Sequence, residues 1–206
     1  MRPEAAIFDL GGVVIDVSPG RAVKAWADAA GLSPDEARRR LMADTENYYR
    51  FERGEVGPEE FFGGVVRLLG KPLAPDAVRT GWLSLLGGPL PGIEPLLARL
   101  KKRLRLVLLT NTNAVHSAEF HRTCAPVLAH FERIFESWQM GCRKPEAACF
   151  RPVLEYLALP PDLVLYLDDT AENVEAAARM GMATRLVKGP PDIERELAAI
   201  GLGEPT

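Results

Sequence analysis

Three of four short apolar runs along the chain end abruptly in polar residues. The runs are residues 5–8, 106–109, 163–167 and, more weakly, 183–187. The first ends at Asp9, the second at Thr110 and Asn111, and the third at Asp168 and Asp169. Continuous apolar runs of this length are typical of strands buried on both faces, as in a parallel sheet. The pattern therefore predicts a buried parallel sheet with polar groups along one edge.

Helical patterns separate these runs at residues 92–100, 146–157 and 171–180. Each helix can carry the chain from one parallel strand to the next, so the expected fold class is α/β. In an open α/β sheet, ligands bind at the carboxyl ends of the strands. A core built only for stability has no reason to collect polar groups there, so we expect the functional site at that edge.

Residues 18–89 follow a different pattern, without long strand-like runs. Ser33 and Pro34 fit the N-cap and the first position of a helix, and residues 87–92, rich in glycine and proline, predict a hinge. We therefore expect a helical cap inserted after the first strand. The predicted division is a catalytic core of residues 1–17 and 90–206 and a helical cap of residues 18–89.

Composition narrows the range of partners. The chain has 206 residues, of which 47% are hydrophobic and 26% charged, and its formal net charge is −3. This length suits one hydrophobic core with a modest insertion. The chain has no basic surplus for a phosphate backbone, so we expect no nucleic-acid partner. Charged residues interrupt the longest apolar runs, so we expect no membrane span.

The cysteines indicate a reducing compartment. There are 3, at Cys124, Cys142 and Cys149, and they form no CxxC pair. Such a set fits neither a disulfide framework nor a zinc site. The start of the sequence also lacks the pattern of a secretory signal. We therefore expect reduced thiols in a cytoplasmic protein.

Carboxylates dominate the chemistry expected at the sheet edge. Asp9 suits a nucleophile or a metal ligand, and Asp168 and Asp169 form a carboxylate pair at another strand end. Hard oxygen ligands of this kind suit magnesium better than a soft metal. Alone, Asp9 also fits a strand-end turn, and the Asp168-Asp169 pair fits the N-cap of the following helix. Taken together, the three carboxylates predict a Mg²⁺ site.

Phosphate-holding groups accompany these carboxylates. Thr110 and Asn111 offer a hydroxyl and an amide, and Lys144 is a cation just before a helix. Alone, the first two also fit helix caps, and Lys144 also fits an ordinary surface lysine. A carboxylate nucleophile beside a metal and a lysine suits phosphoryl transfer, because the two cations spread the charge of the transferring group.

In order and local sequence, these motifs resemble those of the haloacid dehalogenase-like superfamily. The four matching segments are residues 8–13 (FDLGGV), 109–111 (LTN), 143–145 (RKP) and 167–169 (LDD) with Asn173. The resemblance covers nearly the whole chain and implies a Rossmann-like core with a small inserted helical cap of the C1 type. Three longer stretches resemble the alpha-D-glucose-1-phosphate phosphatase branch: residues 109–113, 141–146 and 51–55.

The resemblance implies a role for each motif residue. Asp9 is implied as nucleophile and Mg²⁺ ligand, and the Gly11 carbonyl as a backbone ligand. Asp169 is implied as a direct ligand, whereas Asp168 either shares that task or orients a metal-bound water. The residues implied to hold the phosphate are Thr110, Asn111 and Lys144, of which Lys144 also counts as catalytic; its neighbour Arg143 is expected to point to solvent.

The sequence departs from the superfamily pattern at one position, which concerns proton transfer. Phosphatases of this superfamily usually carry a second aspartate two residues after the nucleophile, as general acid and base, and here that position is Gly11. We expect the rate to depend on the leaving group, with His116 as the favoured assistant because its ordinary pKa lies near neutrality. Other candidates are Asp16, which also fits a loop cap, and the cap residues Tyr48 and Glu52.

The resulting hypothesis is a magnesium-dependent phosphatase of a small phosphorylated metabolite, a sugar phosphate among the candidates, acting through an aspartyl-phosphate. A second hypothesis is a 2-haloacid dehalogenase, which uses the same aspartate without a metal. Asp168 and Asp169 argue against it, because two carboxylates repel an anionic substrate unless a cation lies between them. A third hypothesis, suggested by Gly11, is a phosphate-binding module with little turnover.

Overall fold

The computed structural model describes residues 2–203; residue 1 and residues 204–206, which the sequence places in the core, lie outside this range. The strands are β1 Ala5–Phe8, β2 Ile15–Val17, β3 Leu86–Pro89, β4 Arg105–Thr110, β5 Arg133–Glu136, β6 Val164–Asp168 and β7 Ala183–Leu186. The helices are α1 Pro19–Ala30, α2 Pro34–Leu41, α3 Glu46–Glu52, α4 Pro58–Leu69, α5 Pro75–Leu83, α6 Ile93–Leu100, α7 Ala114–Thr123, α8 Ala125–Leu128, α9 Ser137–Met140, α10 Ala147–Leu157, α11 Ala171–Arg179 and α12 Pro190–Ala199. Within the described range, none of these helices has the length and apolarity needed to cross a membrane.

The central sheet is parallel, in the order β5-β4-β1-β6-β7. Its two faces pack against separate clusters: Ala6 and Phe8 of β1 face one cluster, and Ala5 and Ile7 face the other. Helices α6, α7 and α12 contribute to the first cluster, and α10 and α11 to the second. Burial on both faces explains the continuous apolar runs, and the predicted α/β class is confirmed.

Strand β5 has no counterpart in the sequence-based prediction. Its four residues are Arg133, Ile134, Phe135 and Glu136, two apolar residues between two charged ones, and Arg133 is exposed at the edge of the sheet. A strand this short, with charges at both ends, forms no apolar run. Only its pairing with β4, which places Thr110 beside Glu136, reveals it.

Helices α1–α5, here called the cap helices, have a hydrophobic cluster of their own. Trp26 and Trp82 stack at its centre, with ring centroids 5.6 Å apart and planes 4° apart. The expected N-cap is present: Ser33 Oγ accepts a hydrogen bond from the Glu36 N–H at 3.2 Å, and Pro34 is the first residue of α2.

The residues expected to form a hinge instead form a short antiparallel ribbon. Strand β3 pairs with β2, so that Ile15 lies opposite Pro89 and Val17 opposite Leu86. The ribbon joins the chain entering the cap helices to the chain leaving them. The cap boundaries at residues 18 and 89, which coincide with the ends of the two ribbon strands, stay a prediction.

Candidate active site

The predicted polar groups meet at the carboxyl edge of the sheet. Strand β1 lies between β4 and β6, so Phe8 is level with Leu108 on one side and Leu167 on the other. This register places Asp9 beside the ends of both neighbouring strands. A cavity of about 240 Å³ opens there, lined on the core side by Asp9 and Lys144 and, across from them, by residues of the cap helices.

Lys144 is buried between carboxylates. Its Nζ lies 2.6 Å from Asp9 Oδ1 and 2.8 Å from Asp168 Oδ2, and the side chain is 1% exposed. Burial alone would lower the pKa of Lys144, but Asp9, Tyr166 and Asp168 raise it well above its ordinary value. The residue is therefore a fixed cation inside the site, and the surface-lysine interpretation does not apply.

Asn111 holds the Lys144 loop in place. Its Nδ2 donates to the Lys144 carbonyl at 2.9 Å, and its Oδ1 accepts from the Lys144 N–H at 2.8 Å. These two bonds use one of the two N–H groups on Nδ2, and Asn111 also lines the cavity, so its implied role in holding phosphate stays a prediction. The Thr110 side chain, buried at the end of β4, lines the cavity beside it.

The two adjacent aspartates have different surroundings. Asp168 is fully buried, and its oxygens bind Lys144 and the Tyr166 hydroxyl as well as the Thr170 N–H at 2.8 Å and Asn173 Nδ2. Burial would raise the pKa of Asp168, but Lys144 and these donors hold it below its ordinary value. With both of its oxygens hydrogen-bonded, Asp168 is placed to hold Lys144 in position.

Asp169 instead lines the cavity. Its Oδ2 lies so close to Gly12 that a Cβ added to Gly12 would collide with it, and Gly12 has φ +74°. Carboxylate oxygens of Asp9, Asp168 and Asp169 lie within 4.8 Å of one another. Burial, with the two other carboxylates adding to it and Lys144 opposing, raises the pKa of Asp9 to about 7. One lysine faces three carboxylates, so the cluster fits a hard divalent cation.

The place of the usual second aspartate is filled by a neighbouring side chain. A Cβ added to Gly11 would lie 3.0 Å from Val17 Cγ2 and 3.2 Å from Val17 Cγ1. Strand β2, which carries Val17, therefore packs where a general acid would begin. The Gly11 backbone remains part of the cavity lining.

The two acid candidates nearest in sequence are engaged elsewhere. His116 lies at the cavity wall, but its Nε2 lies 3.0 Å from the Trp82 carbonyl and its Nδ1 3.2 Å from Asn113 Nδ2. Burial lowers the pKa of His116 to about 4, so the ring is neutral, and the two contacts place its single N–H on Nε2, which donates to the Trp82 carbonyl. Asp16 pairs with Arg21 at 2.6 Å. The expectation that His116 assists as an acid is not supported.

Tyr48 and Glu52, which were expected only as candidate acids, form a polar cluster with Arg143 on the cap side of the cavity. Arg143 does not point to solvent as expected: its Nε donates to Glu52 Oε2 at 2.8 Å, and its guanidinium carbon lies 4.1 Å from the centroid of the Tyr49 ring. The Tyr48 hydroxyl donates to Glu52 Oε1 at 2.6 Å. Burial raises the pKa of Glu52, although Tyr48 and Arg143 oppose the shift. The sequence signal for this cluster was the FERGE stretch at residues 51–55. It could not identify Arg143 as the partner of Glu52, because the two residues meet only in the folded protein.

Known proteins are similar to this chain in sequence. The sequence profile of the haloacid dehalogenase-like hydrolases matches residues 3–181. A D-ribitol-5-phosphate phosphatase of Bacteroides thetaiotaomicron is 26% identical over 200 residues, which cover 94% of this chain and 96% of the relative. A phosphatase of Mycobacterium tuberculosis is 26% identical over 98% of this chain and 96% of its own length.

The fold is shared with a solved structure. A HAD family enzyme from Bacteroides thetaiotaomicron superposes with a TM-score of 0.84, covering 96% of this chain and 99% of that one at 24% identity. A second structure of that enzyme, with a TM-score of 0.79, contains magnesium and inorganic phosphate. The profile match spans most of the sequence and both domains of the proposed division. This chain belongs to the haloacid dehalogenase-like hydrolase family.

Proposed function

We propose that this protein is a magnesium-dependent phosphatase of a small phosphorylated metabolite, acting through an aspartyl-phosphate on Asp9. The observation that carries the proposal is the contact between Asp9 and the buried Lys144 within the cluster of Asp9, Asp168 and Asp169. Its full-length relatives from Bacteroides thetaiotaomicron and Mycobacterium tuberculosis are phosphatases, which supports the same reaction class. We also propose that the protein is cytoplasmic.

In the proposed reaction, an Asp9 carboxylate oxygen attacks the phosphorus of the bound monoester. The bond between phosphorus and the leaving oxygen breaks, and that oxygen takes a proton from solvent water as it departs. Water then attacks the phosphorus of the aspartyl-phosphate, which releases phosphate and restores Asp9. Lys144 holds the phosphoryl oxygens throughout, and Thr110 lies beside it on the cavity wall.

The metal is assigned to the exposed side of the carboxylate cluster. We assign Asp9, Asp169 and the Gly11 carbonyl as ligands, whereas Asp168 serves mainly to hold Lys144. Bound Mg²⁺ would neutralise charge on the transferring phosphoryl group. The magnesium and phosphate in the similar enzyme from Bacteroides thetaiotaomicron support this assignment.

The test is hydrolysis of para-nitrophenyl phosphate with and without Mg²⁺, in the native protein and in Asp9→Asn. We expect turnover that requires Mg²⁺ and is abolished by Asp9→Asn. Asp16→Asn is the matched control, because Asp16 is half exposed and paired with Arg21 away from the cavity. Metal-independent turnover, or full activity of Asp9→Asn, would refute the proposal.

Further assays separate the rival functions. A 2-haloacid dehalogenase would release halide from 2-chloropropionate without metal. The three clustered carboxylates disfavour this reaction, because the single Lys144 cation balances only part of their charge. A phosphate-binding module would bind inorganic phosphate in the presence of Mg²⁺ but hydrolyse none of a panel of sugar and alditol phosphates. D-ribitol 5-phosphate and alpha-D-glucose 1-phosphate belong in that panel, the first because of the relative of that name.

A further inference from the structure

Arg143 lies at the mouth of the catalytic cavity in a fixed orientation. Its Nε is bound to Glu52, its guanidinium lies over the Tyr49 ring, and its side chain is 19% exposed. Its backbone is next to Lys144, which the Asn111 amide holds from both sides. An arginine so held loses little side-chain entropy on binding a ligand, since the cost is met in folding.

The terminal amino groups of Arg143 remain available to a ligand. Among the hydrogen bonds between residues 2–203, those of Arg143 use only Nε, and neither terminal nitrogen is among the fully buried atoms. Arg143 also lines the cavity that contains Asp9. The cavity that contains Asp9 and Lys144 is thus also lined by N–H donors that are held in place, within reach of the part of a phosphomonoester that fills the rest of the cavity.

The charges around Arg143 in the cavity are balanced. Glu52, with its side chain 4% exposed, pairs with Arg143 at 2.8 Å, and Tyr48 satisfies its other oxygen. His116 and Asn113, which line the same cavity, are uncharged at neutral pH. A second anionic group on the substrate would find no net positive charge here. Hydroxyl oxygens, by contrast, can accept from Arg143 and donate to neighbouring oxygens.

We propose that Arg143 is a specificity-determining residue that donates hydrogen bonds to the leaving group, and that this group is an uncharged alcohol rich in hydroxyls, such as an alditol or a sugar. This inference rests on the proposed phosphatase function. The cavity of about 240 Å³ is below the range of roughly 300–1,000 Å³ typical for drug-sized ligands, so the leaving group is small.

The test compares two substrates that differ mainly in hydroxyls, D-ribitol 5-phosphate and n-pentyl phosphate. The native protein should have the higher kcat/KM on the ribitol ester. Arg143→Met should lower kcat/KM on that ester by about 10- to 100-fold, which corresponds to a lost charged hydrogen bond, and lower it by less than about 3-fold on the pentyl ester. Arg50→Met, which changes an exposed arginine of the cap helices, is the control and should alter neither.

Glu52→Gln tests the charge balance. The variant keeps hydrogen-bonding groups beside Arg143 and Tyr48 but leaves the guanidinium charge unpaired. The ratio of kcat/KM for 3-phospho-D-glycerate over D-ribitol 5-phosphate should therefore rise by roughly tenfold, as expected when one ion pair becomes available to a ligand carboxylate. An unchanged ratio in a variant with native thermal stability would contradict the charge argument.

The outcomes distinguish this inference from the function on which it rests. If the native protein hydrolyses no ester, para-nitrophenyl phosphate included, the phosphatase proposal fails and the inference fails with it. If the native protein is active but Arg143→Met weakens both esters equally, the phosphatase proposal stands and the inference is wrong. Arg143→Lys is the second variant if Arg143→Met does not fold, and it should show the same selective loss with a smaller amplitude.

Discussion

The core side and the cap side of the catalytic cavity differ in how their polar groups are assembled. On the core side, Asp9 directly follows β1, and Thr110 and Asp168 are the last residues of the two adjacent strands, so the sheet register alone brings them together. On the cap side, Glu52 and Arg143 are 91 residues apart and meet only because the cap helices lie over the sheet edge. We infer that the first region carries the reaction common to the family, and the second selects the substrate.

The largest expected effect tests the core side. Lys144→Ala leaves Asp9 and Asp168 facing each other without their cation, and removes a charge-stabilising contact from the phosphoryl group. We expect kcat on para-nitrophenyl phosphate to fall by roughly 10²–10³-fold. Lys24→Ala, an exposed lysine on α1, should leave the rate unchanged. A mild effect of Lys144→Ala would show that the buried cation is structural.

The second prediction addresses the metal ligands. Gly12→Ala adds a Cβ that collides with Asp169, so the carboxylate must move. We expect the Mg²⁺ concentration for half-maximal activity to rise about 10- to 100-fold, as when the surroundings of a metal ligand are disturbed. Gly31→Ala is the matched control, since Gly31 also has positive φ (+64°) but open space around it. That variant should lose some thermal stability while its Mg²⁺ requirement stays native.

The third prediction concerns the general acid that is missing at Gly11. Gly11→Asp alone should bring little gain on n-pentyl phosphate, because Val17 lies 3.0 Å from the new Cβ. Combining it with Val17→Ala should make room and raise kcat/KM, by up to about 10²-fold, the lower end of the usual contribution of general acid catalysis. Val17→Ala alone is the control. Equal rates for the single and double variants would mean that side-chain space does not limit proton transfer.

The smallest effect on activity is expected at His116, where the cap helices meet α7. His116→Gln should change kcat by less than about tenfold on any ester, since the ring is neutral and its Nε2–H donates to the Trp82 carbonyl. A larger loss confined to esters with poor leaving groups would restore His116 as the acid.

His116 should act on stability instead. Its pKa is about 4 in the folded protein and higher when unfolded, so the unfolded chain binds more protons between about pH 6.5 and 4. Stability is therefore lost as pH falls through this window, by on the order of 2–3 kcal/mol from this residue. The slope of Tm against pH should be shallower in His116→Gln.

The sequence allowed much of the core side to be predicted, because strand ends in a parallel sheet share one edge. Burial on both faces made β1, β4 and β6 recognisable as apolar runs, and Asp9, Lys144 and Asp169 follow from their motifs. Two features could not be predicted from the sequence, for physical reasons. Strand β5 is short and partly exposed, and the Arg143 orientation is set by a partner far along the chain.

Residues within the motifs show the same limit of prediction from sequence. Asn111 and Asp168 were both expected to contact the ligand or the metal, and the structure shows that each of them also positions Lys144. A motif identifies which residues surround a reaction, whereas hydrogen-bond partners decide which of them can still bind a ligand. Sequence alone could not separate Asp168 from Asp169, because only their burial and contacts differ.

The central claim is the covalent role of Asp9, and one measurement tests it most directly. The protein is mixed rapidly with Mg²⁺ and para-nitrophenyl phosphate, quenched in acid at early times, and digested for mass spectrometry. We predict a transient phosphoryl group on the peptide that contains Asp9, forming with the first equivalent of nitrophenolate and missing in Asp9→Asn. Native turnover without any phosphorylated peptide at any time, or with the phosphoryl group on another residue, would contradict the account.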